Sequence, residues 1–353
     1  MILAQLVFHN PRVTAPDYPI ANPPAPGTTI EVAPGVHWLR MALPFQLDHI
    51  NLWLLEDGDD WLIIDTGLGN EPTRALWERI FSEKIGAKPV KRVLVTHYHP
   101  DHAGNAAWLC KRFGAPLWMT RGEFLTVHAA RNSSAGYTTE AQIELFRANG
   151  LDDARGAELL LRGGLYKSMV PDFPFSHRRL HEGERITVGG RGWKVIIGHG
   201  HAHEHASLHC EELNLLISGD MLLPRISTNV AVRPIDPWSN PLRLFLESIR
   251  RYLELPQDVL ILPSHGLPFR GAHARIAQLE AHHAERLAEL RAACAASPRN
   301  AAEVLEILFR RKLDTSQIFF AMGEAIAHLH YLQYDGQLAR TVGADGVARF
   351  APA

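Results

Sequence analysis

The segment 91-KRVLVTHYHPDHAG-104 places a short strand of β-branched residues directly before three histidines and an aspartate. Side chains two residues apart in an extended segment point the same way, so His97 and His99 can grip one ion. Asp101 and His102 follow a bend and can face a second ion. Imidazole and carboxylate groups are the ligands that zinc, manganese and iron prefer. This segment therefore predicts a strand that ends in a metal site.

Three more candidate ligand positions follow predicted strands: the cluster 199-HGHAHEH-205, Asp220 after 214-NLLISG-219, and His265 in 263-PSHG-266. Spacing within the cluster does not decide which of its four histidines would bind an ion. Taken alone, Asp220 is typical of a turn and His265 of a surface position. A two-metal site needs roughly eight ligand positions, some of them open or filled by water. Four strand-end sites in one α/β chain favour the metal hypothesis over coincidence.

In this order, HxHxDH, glycine–histidine, SGD and SHG resemble the metallo-β-lactamase superfamily over about residues 36–270. The resemblance is to its glyoxalase II-like dinuclear metallohydrolases and to a "β-lactamase-like" branch with a winged-helix-like C-terminal domain. The family carries its third histidine in a PGHTPGH turn, which implies that His201 is the ligand within the cluster. The resemblance implies that His97, His99 and His201 bind the first ion, that Asp101, His102 and His265 bind the second, and that Asp220 bridges both.

The resemblance assigns roles to residues around these ligands as well. Asp65 in 64-IDTG-67 matches the family's buried aspartate, which is expected to orient ligand histidines through hydrogen bonds. His205 matches the second histidine of the turn and is expected to support the site or lie near the substrate. Arg225, just after the bridging aspartate, is a candidate for binding an anionic substrate group; a structural ion pair is the alternative. His199 and His203 are expected to have no catalytic part.

The predicted fold class is α/β: an αββα metallo-β-lactamase sandwich with an inserted helical cap and a small C-terminal winged-helix-like domain. Residues 1–35 are predicted to form an extended proline-rich arm, and residues 36–270 the metallo-β-lactamase domain. The cap spans 121–175, where helical pieces are interrupted by glycine-containing breaks. Residues 271–353 form the C-terminal unit. Its winged-helix-like pattern consists of helices over 301–311 and 315–334 and a hairpin over 337–350.

Composition limits the partners. The net charge is −2 and the isoelectric point about 6.9, so electrostatics give no argument for nucleic acid or an anionic membrane as the main partner. The start, 1-MILAQLVFHNPR-12, has no basic segment before its apolar residues, and no apolar run reaches about 18 residues. We expect a soluble, cytoplasmic protein with a small-molecule substrate and no membrane partner; a homodimer stays open.

The expected reaction is metal-assisted hydrolysis, with Asp101 and Asp220 as its catalytic residues. Two divalent ions, zinc first and manganese or iron as alternatives, would lower the pKa of a bridging water toward about 7. The resulting metal-bridging hydroxide would attack a small ester, thioester or lactone, while the ions stabilise the developing oxyanion. One alternative is an endoribonuclease or phosphodiesterase acting on single-stranded nucleic acid. A weaker alternative is a mononuclear iron enzyme that uses oxygen.

Overall fold

The computed structural model describes residues 16–353, so the predicted arm over 1–35 is described only from residue 16. Two sheets build the first of two compact units, which comprises residues 16–131, 166–228 and 249–277. The first sheet has the order β1 to β7, and the second has the order β12-β11-β10-β9-β8. The strands are β1 Ile30–Ala33, β2 Val36–Ala42, β3 His49–Asp57, β4 Asp60–Ile64, β5 Val90–Leu94, β6 Leu117–Met119, β7 Arg178–Arg179, β8 Arg185–Val188, β9 Arg191–Gly198, β10 His205–Cys210, β11 Leu215–Gly219 and β12 Leu260–Pro263.

Apolar side chains from both sheets form one core between them. Trp38 and Trp53 of the first sheet are almost fully buried, with ring centroids 6.3 Å apart. Trp193 and Leu208 of the second sheet join the same buried cluster. Each large apolar side chain removed from water contributes about 1.5–3 kcal/mol, so this shared core holds the two sheets together. The predicted sandwich is confirmed.

Helices cover the chain between and after these strands. Helix α1, Glu71–Ile80, has Asn70 as its N-cap, whose side chain accepts a hydrogen bond from the Thr73 amide, and a π-helical turn, Phe81–Ile85, continues the helix. A 3₁₀ turn, Arg251–Glu254, continues α8, Pro241–Arg250. The helices are α1 Glu71–Ile80, α2 Pro100–Ala103, α3 Ala106–Phe113, α4 Arg121–Arg131, α5 Thr139–Arg147, α6 Asp153–Arg162, α7 Tyr166–Met169, α8 Pro241–Arg250, α9 Ala272–Ala296, α10 Leu305–Phe309 and α11 Thr315–Tyr334.

The strand pairing brings the motif residues together. Strands β4 and β5 are parallel, and so are β11 and β12. The carboxyl ends of parallel strands lie at the same edge of a sheet, and in α/β proteins this edge is where sites form. Asp65 follows β4, His97 comes three residues after the end of β5, Asp220 follows β11 and His265 comes two residues after β12. Asp65 and His97 therefore lie at one edge of the first sheet, and Asp220 and His265 lie at one edge of the second.

The second compact unit comprises residues 132–165, 229–248 and 278–353. Its C-terminal strands, β13 Leu338–Val342 and β14 Ala348–Pro352, form an antiparallel hairpin, which confirms the predicted hairpin. Helix α11 starts with a capping box between Asp314 and Gln317. The helix predicted over 301–311 is wrong in extent, because Asn300 and Glu303 exchange side-chain and backbone hydrogen bonds in a turn that delays α10.

The predicted cap region divides between the two units. Residues 121–131 and 166–175 belong to the first unit, and residues 132–165 belong to the second. Helix α6 ends before Gly163, whose positive φ of 67° breaks it, and α7 follows, so a glycine-containing break interrupts the helical pieces as predicted. The boundaries predicted at 36–270, 121–175 and 271–353 stay a prediction. Among the described residues, no helix is long and apolar enough to cross a bilayer.

Candidate metal centre

Four predicted ligands, His97, His99, His201 and Asp220, form one group whose donor atoms lie within 4.8 Å of one another. Nε2 of His97 is 2.8 Å from Nδ1 of His99 and 3.2 Å from Nε2 of His201. Oδ2 of Asp220 lies 3.3 Å from Nε2 of His201. The segment after β5 supplies His97 and His99, the turn between β9 and β10 supplies His201, and the segment after β11 supplies Asp220, so the group joins both sheets of the sandwich.

The remaining predicted ligands, Asp101, His102 and His265, form a second group of three, whose donor atoms also lie within 4.8 Å of one another. Nε2 of His265 lies 3.5 Å from Oδ2 of Asp101, and Nε2 of His102 lies 3.8 Å from the same oxygen. Oδ1 of Asp220 is 3.4 Å from His265 and 3.5 Å from His102. Asp220 thus turns one oxygen toward each group.

The residues of both groups fit divalent cations. Nε2 of His102 and Oδ1 of Asp220 are buried and make no hydrogen bond with the described residues. Buried polar atoms are normally paired, so two such atoms facing each other indicate a position for an ion. Histidine nitrogens and carboxylate oxygens, without sulfur, suit zinc, manganese and iron.

Electrostatics favour negative carboxylates in this centre. Burial alone raises the pKa of Asp220, but the facing His265 and His102 rings hold it well below its ordinary value. Burial, followed by the neighbouring histidines, lowers the pKa of His97 well below its ordinary value, so this ring is neutral and able to bind a cation. Burial also opposes the charged form of His102, but the carboxylates of Asp65, Asp101 and Asp220 raise its pKa well above the usual value.

Asp65 lies where the resemblance places it, against a ligand histidine. Its Oδ2 accepts a hydrogen bond from Nδ1 of His102 at 2.8 Å, which turns Nε2 toward the second group. Its Oδ1 accepts from the backbone amide of Thr96 at 2.8 Å, and the Thr96 hydroxyl donates to the same carboxylate. The backbone of Asp65 has a φ of 60°, a conformation that non-glycine residues rarely adopt and that is often found at functional sites.

His205 supports Asp220 from inside the second sheet. Its Nε2 accepts a hydrogen bond from the Asp220 backbone amide at 3.1 Å. Burial lowers the pKa of His205 to about 3, so the ring stays neutral and its nitrogen remains an acceptor. Gly219 has a φ of 55°, and a Cβ there would lie 2.3 Å from Nε2 of His205. The glycine of the SGD motif is therefore required by this close approach.

Two family models match the chain and show to which family it belongs. The model of the metallo-beta-lactamase superfamily matches residues 46–265, and that of the metallo-beta-lactamase-like C-terminal domain matches residues 287–353. The chain belongs to the metallo-β-lactamase superfamily. Because its superfamily domain carries the buried His/Asp donor set, the protein is an enzyme of this superfamily, a metal-dependent hydrolase that takes divalent metals.

Individual proteins resemble between 65% and 96% of the chain. The crystal structure of a beta-lactamase domain protein from Burkholderia ambifaria is 50% identical, covers 96% of this chain and 98% of its own, and superposes with a TM-score of 0.90. The probable metallo-hydrolase YqjP of Bacillus subtilis (strain 168) is 28% identical over 84% of this chain and 91% of its own length. The acyl-coenzyme A thioesterase MBLAC2 of Gallus gallus is 25% identical over 65% of this chain and 77% of its own length.

The four histidines of the 199–205 cluster have different roles in the structure of this superfamily member. His201 joins the first ligand group, whereas His199 and His203 belong to neither group. Nδ1 of His199 instead lies 2.5 Å from the backbone carbonyl oxygen of His203 and donates to it. His205, as described above, contacts the backbone of Asp220.

Arg225 lies on the segment that follows Asp220 and is exposed. Its guanidinium lies 5.5 Å from the centre of the Tyr18 ring. Within residues 16–353 no carboxylate forms an ion pair with Arg225, so the structural ion pair considered as the alternative role is not found in that range. Binding of an anionic substrate group stays a prediction.

Two residues of this superfamily member's site have no signal in the sequence. Thr96 connects Asp65 to the segment that carries His97, through its amide and its hydroxyl. Glu123, in the first turn of α4, accepts hydrogen bonds from the backbone amides of Tyr98 and Glu204. Nothing in the local pattern distinguishes such a glutamate from one that favours a helix N-terminus through its charge.

Proposed function

We propose that the protein is a dinuclear metallohydrolase of small acyl thioesters, with esters and lactones as related substrates. The observation that carries the proposal is the placement of Asp220, whose two oxygens face two separate ligand groups. The seven predicted ligands would hold two divalent ions, with zinc as the first expectation and manganese or iron as alternatives. When bound, the ions supply Lewis acidity and an acidified water for attack on a carbonyl carbon.

The chain's own residues prepare the centre for this chemistry. His97, His99 and His201 fix three nitrogens on one side of Asp220, and His102 and His265 fix two on the other. Asp65 holds the proton of His102 on Nδ1 and leaves Nε2 free to bind. The His205 ring accepts a hydrogen bond from the Asp220 backbone amide, and the facing His265 and His102 rings hold the pKa of the Asp220 carboxyl well below its ordinary value.

Aromatic and cationic groups near the ligands support an acyl substrate that carries an anionic group. The Tyr98 ring lies 4.5 Å from the His99 ring, and the Tyr166 ring stacks on Tyr98 at 6.2 Å. These rings lie beside the first group, and the proposal places the acyl chain of the substrate near them. Exposed Arg225 would bind a carboxylate or phosphate of the substrate. The similarity to a thioesterase that acts on acyl-coenzyme A favours thioesters among the three carbonyl classes.

The test is a panel of acyl-coenzyme A thioesters of increasing chain length, with simple esters and lactones beside them, assayed on the metal-loaded protein. We expect hydrolysis of at least one class that is abolished in Asp220→Asn. Arg225→Gln should raise KM for the substrates that carry phosphate and leave neutral esters unchanged. Absence of hydrolysis above free metal ions for every class, with cleavage of single-stranded RNA instead, would contradict the proposal.

A further inference from the structure

Glu123 on α4 is a fully buried carboxylate whose two oxygens both accept backbone amide hydrogens. Oε2 accepts from the Tyr98 amide at 2.9 Å, and Oε1 accepts from the Glu204 amide at 2.6 Å. A buried carboxylate is costly unless such donors satisfy it, and hydrogen bonds to an ionised acceptor are stronger than neutral ones. Neither contact serves the helix that carries Glu123.

Both amides belong to ligand-bearing segments of the first metal group. Tyr98 is the residue between His97 and His99, and Glu204 lies in the turn that carries His201. These segments come from different sheets of the sandwich and are separated by about a hundred residues of chain. One side chain on a third element thus spans the two halves of the group.

A second set of contacts runs in the opposite direction and closes the connection. The Glu204 carboxylate accepts from the Gly122 amide at 2.7 Å, and the Thr120 hydroxyl donates to the Glu204 carbonyl at 2.8 Å. A Cβ on Gly122 would lie 3.0 Å from Cδ of Glu204, so the helix start and the turn are in close contact. The start of α4 and the His201 turn therefore hold each other through two glutamates.

The second metal group has a different buried carboxylate. Asp65 contacts the His102 ring and Thr96, and within residues 16–353 it makes no hydrogen bond to the His201 turn. Glu123 contacts neither His102 nor His265 by hydrogen bond. Within the described residues, Asp65 thus bonds directly to a ring of the second group, whereas Glu123 bonds only to backbone amides of the two segments that carry the first group.

We propose that Glu123 is the positioning residue of the first metal group: it fixes the distance between the His97–His99 segment and the His201 turn. The inference rests on the proposed function, because it assumes that these histidines bind an ion. Residues that orient ligands without touching the metal typically change metal affinity by about 10–100-fold when they are replaced. Loss of Glu123 should therefore weaken one binding step and leave the other unchanged.

The test is Glu123→Gln in the full-length protein stripped of metal and titrated with zinc ions against a chelator. Glutamine keeps one acceptor oxygen but turns an N–H donor toward an amide donor, so one of the two contacts is lost. Reference titrations of His201→Ala and His265→Ala assign each binding step to its group. We expect Glu123→Gln to weaken the His201-dependent step by about 10–100-fold and to leave the His265-dependent step unchanged. Asp65→Asn, whose carboxylate contacts both His102 and the Thr96 amide beside His97, should by contrast weaken the His265-dependent step.

Other outcomes are decisive as well. Two unchanged steps, or equal weakening of both, would overturn the positioning role while leaving the proposed function intact. A wild-type protein that binds no zinc would overturn both. Circular dichroism of the metal-free proteins checks folding; if Glu123→Gln does not fold, Glu204→Ala replaces it, because that change removes only the Gly122 contact. It should weaken the same step by a smaller factor, and no weakening would overturn the inference.

Discussion

Oδ2 of Asp65 lies 2.8 Å from Nδ1 of His102, and both side chains are almost fully buried. This hydrogen bond fixes which nitrogen of His102 carries the proton and which faces Asp220. The same carboxylate holds the amide of Thr96, next to His97. A single buried aspartate therefore controls the orientation of a ligand and the position of the strand end that carries another.

Replacing Asp65 with asparagine should lower metal affinity without unfolding the protein. Asparagine keeps the shape and tolerates the positive φ of this position, but it cannot hold the His102 proton as strongly. We expect hydrolytic activity at limiting metal to fall by about 10–100-fold and to recover with excess metal. Activity measured across a metal concentration series checks this; a loss that excess metal does not restore would contradict a purely orienting role.

Gly219 provides a matched pair of stability measurements. Gly219→Ala places a Cβ 2.3 Å from His205 at a φ of 55°, whereas Gly190→Ala has a φ of 75° with open space around it. Both substitutions place an alanine at a positive φ and share that backbone strain. The difference between their losses of unfolding free energy therefore measures the clash of the Gly219→Ala Cβ with His205. We expect the free energy of unfolding to fall by about 1–2 kcal/mol in Gly190→Ala and by about 2–5 kcal/mol in Gly219→Ala.

Urea unfolding of the two metal-free glycine variants provides these free energies. A displaced His205 would also release the Asp220 backbone, so Gly219→Ala should lose metal while Gly190→Ala keeps it. Equal destabilisation of the two variants would mean that the His205 contact relaxes without cost.

Glu324 in the second unit should make stability depend on pH near neutrality. Burial raises its pKa to about 7, against the opposing hydrogen bond from Asn229 at 3.0 Å. The folded state then holds a proton that the unfolded chain releases near its ordinary value of 4.5. The contribution of the protonated Glu324 carboxyl to stability is fully present below the pKa of this group in the unfolded chain. It is lost as the pH rises through about 7, the pKa in the folded protein.

Glu324→Gln removes this titration and should therefore gain stability relative to the wild type as the pH rises. Between pH 5 and pH 8.5 we expect a relative gain of about 2–3 kcal/mol. Thermal and urea unfolding at both pH values measure it, and the exposed Glu306→Gln serves as the control. A pH-independent difference between Glu324→Gln and the wild type would exclude the buried proton.

The two groups of candidate ligands are predictable from the sequence because each motif follows a strand. The order of the strands in the sheets then brings these strand ends close together. The choice of His201 over its neighbours depended on the family resemblance, since alternating histidines are equivalent by spacing. Glu123 escaped prediction because a carboxylate that binds distant backbone amides has no local pattern. The grouping of residues 132–165 with 229–248 and 278–353 depends on contacts between remote segments, such as the Ala301 amide on the Asn149 carbonyl at 3.1 Å.

The most direct test of the central claim is the metal content of the purified protein, measured by elemental analysis beside His201→Ala, His265→Ala and Asp220→Ala. A dinuclear centre requires about two divalent ions per chain in the wild type, following the two-ion pattern of such hydrolases. His201→Ala and His265→Ala should each lose about one ion, and Asp220→Ala should weaken both. One iron per chain, indifferent to the loss of His265, would contradict the dinuclear centre and the hydrolytic function built on it.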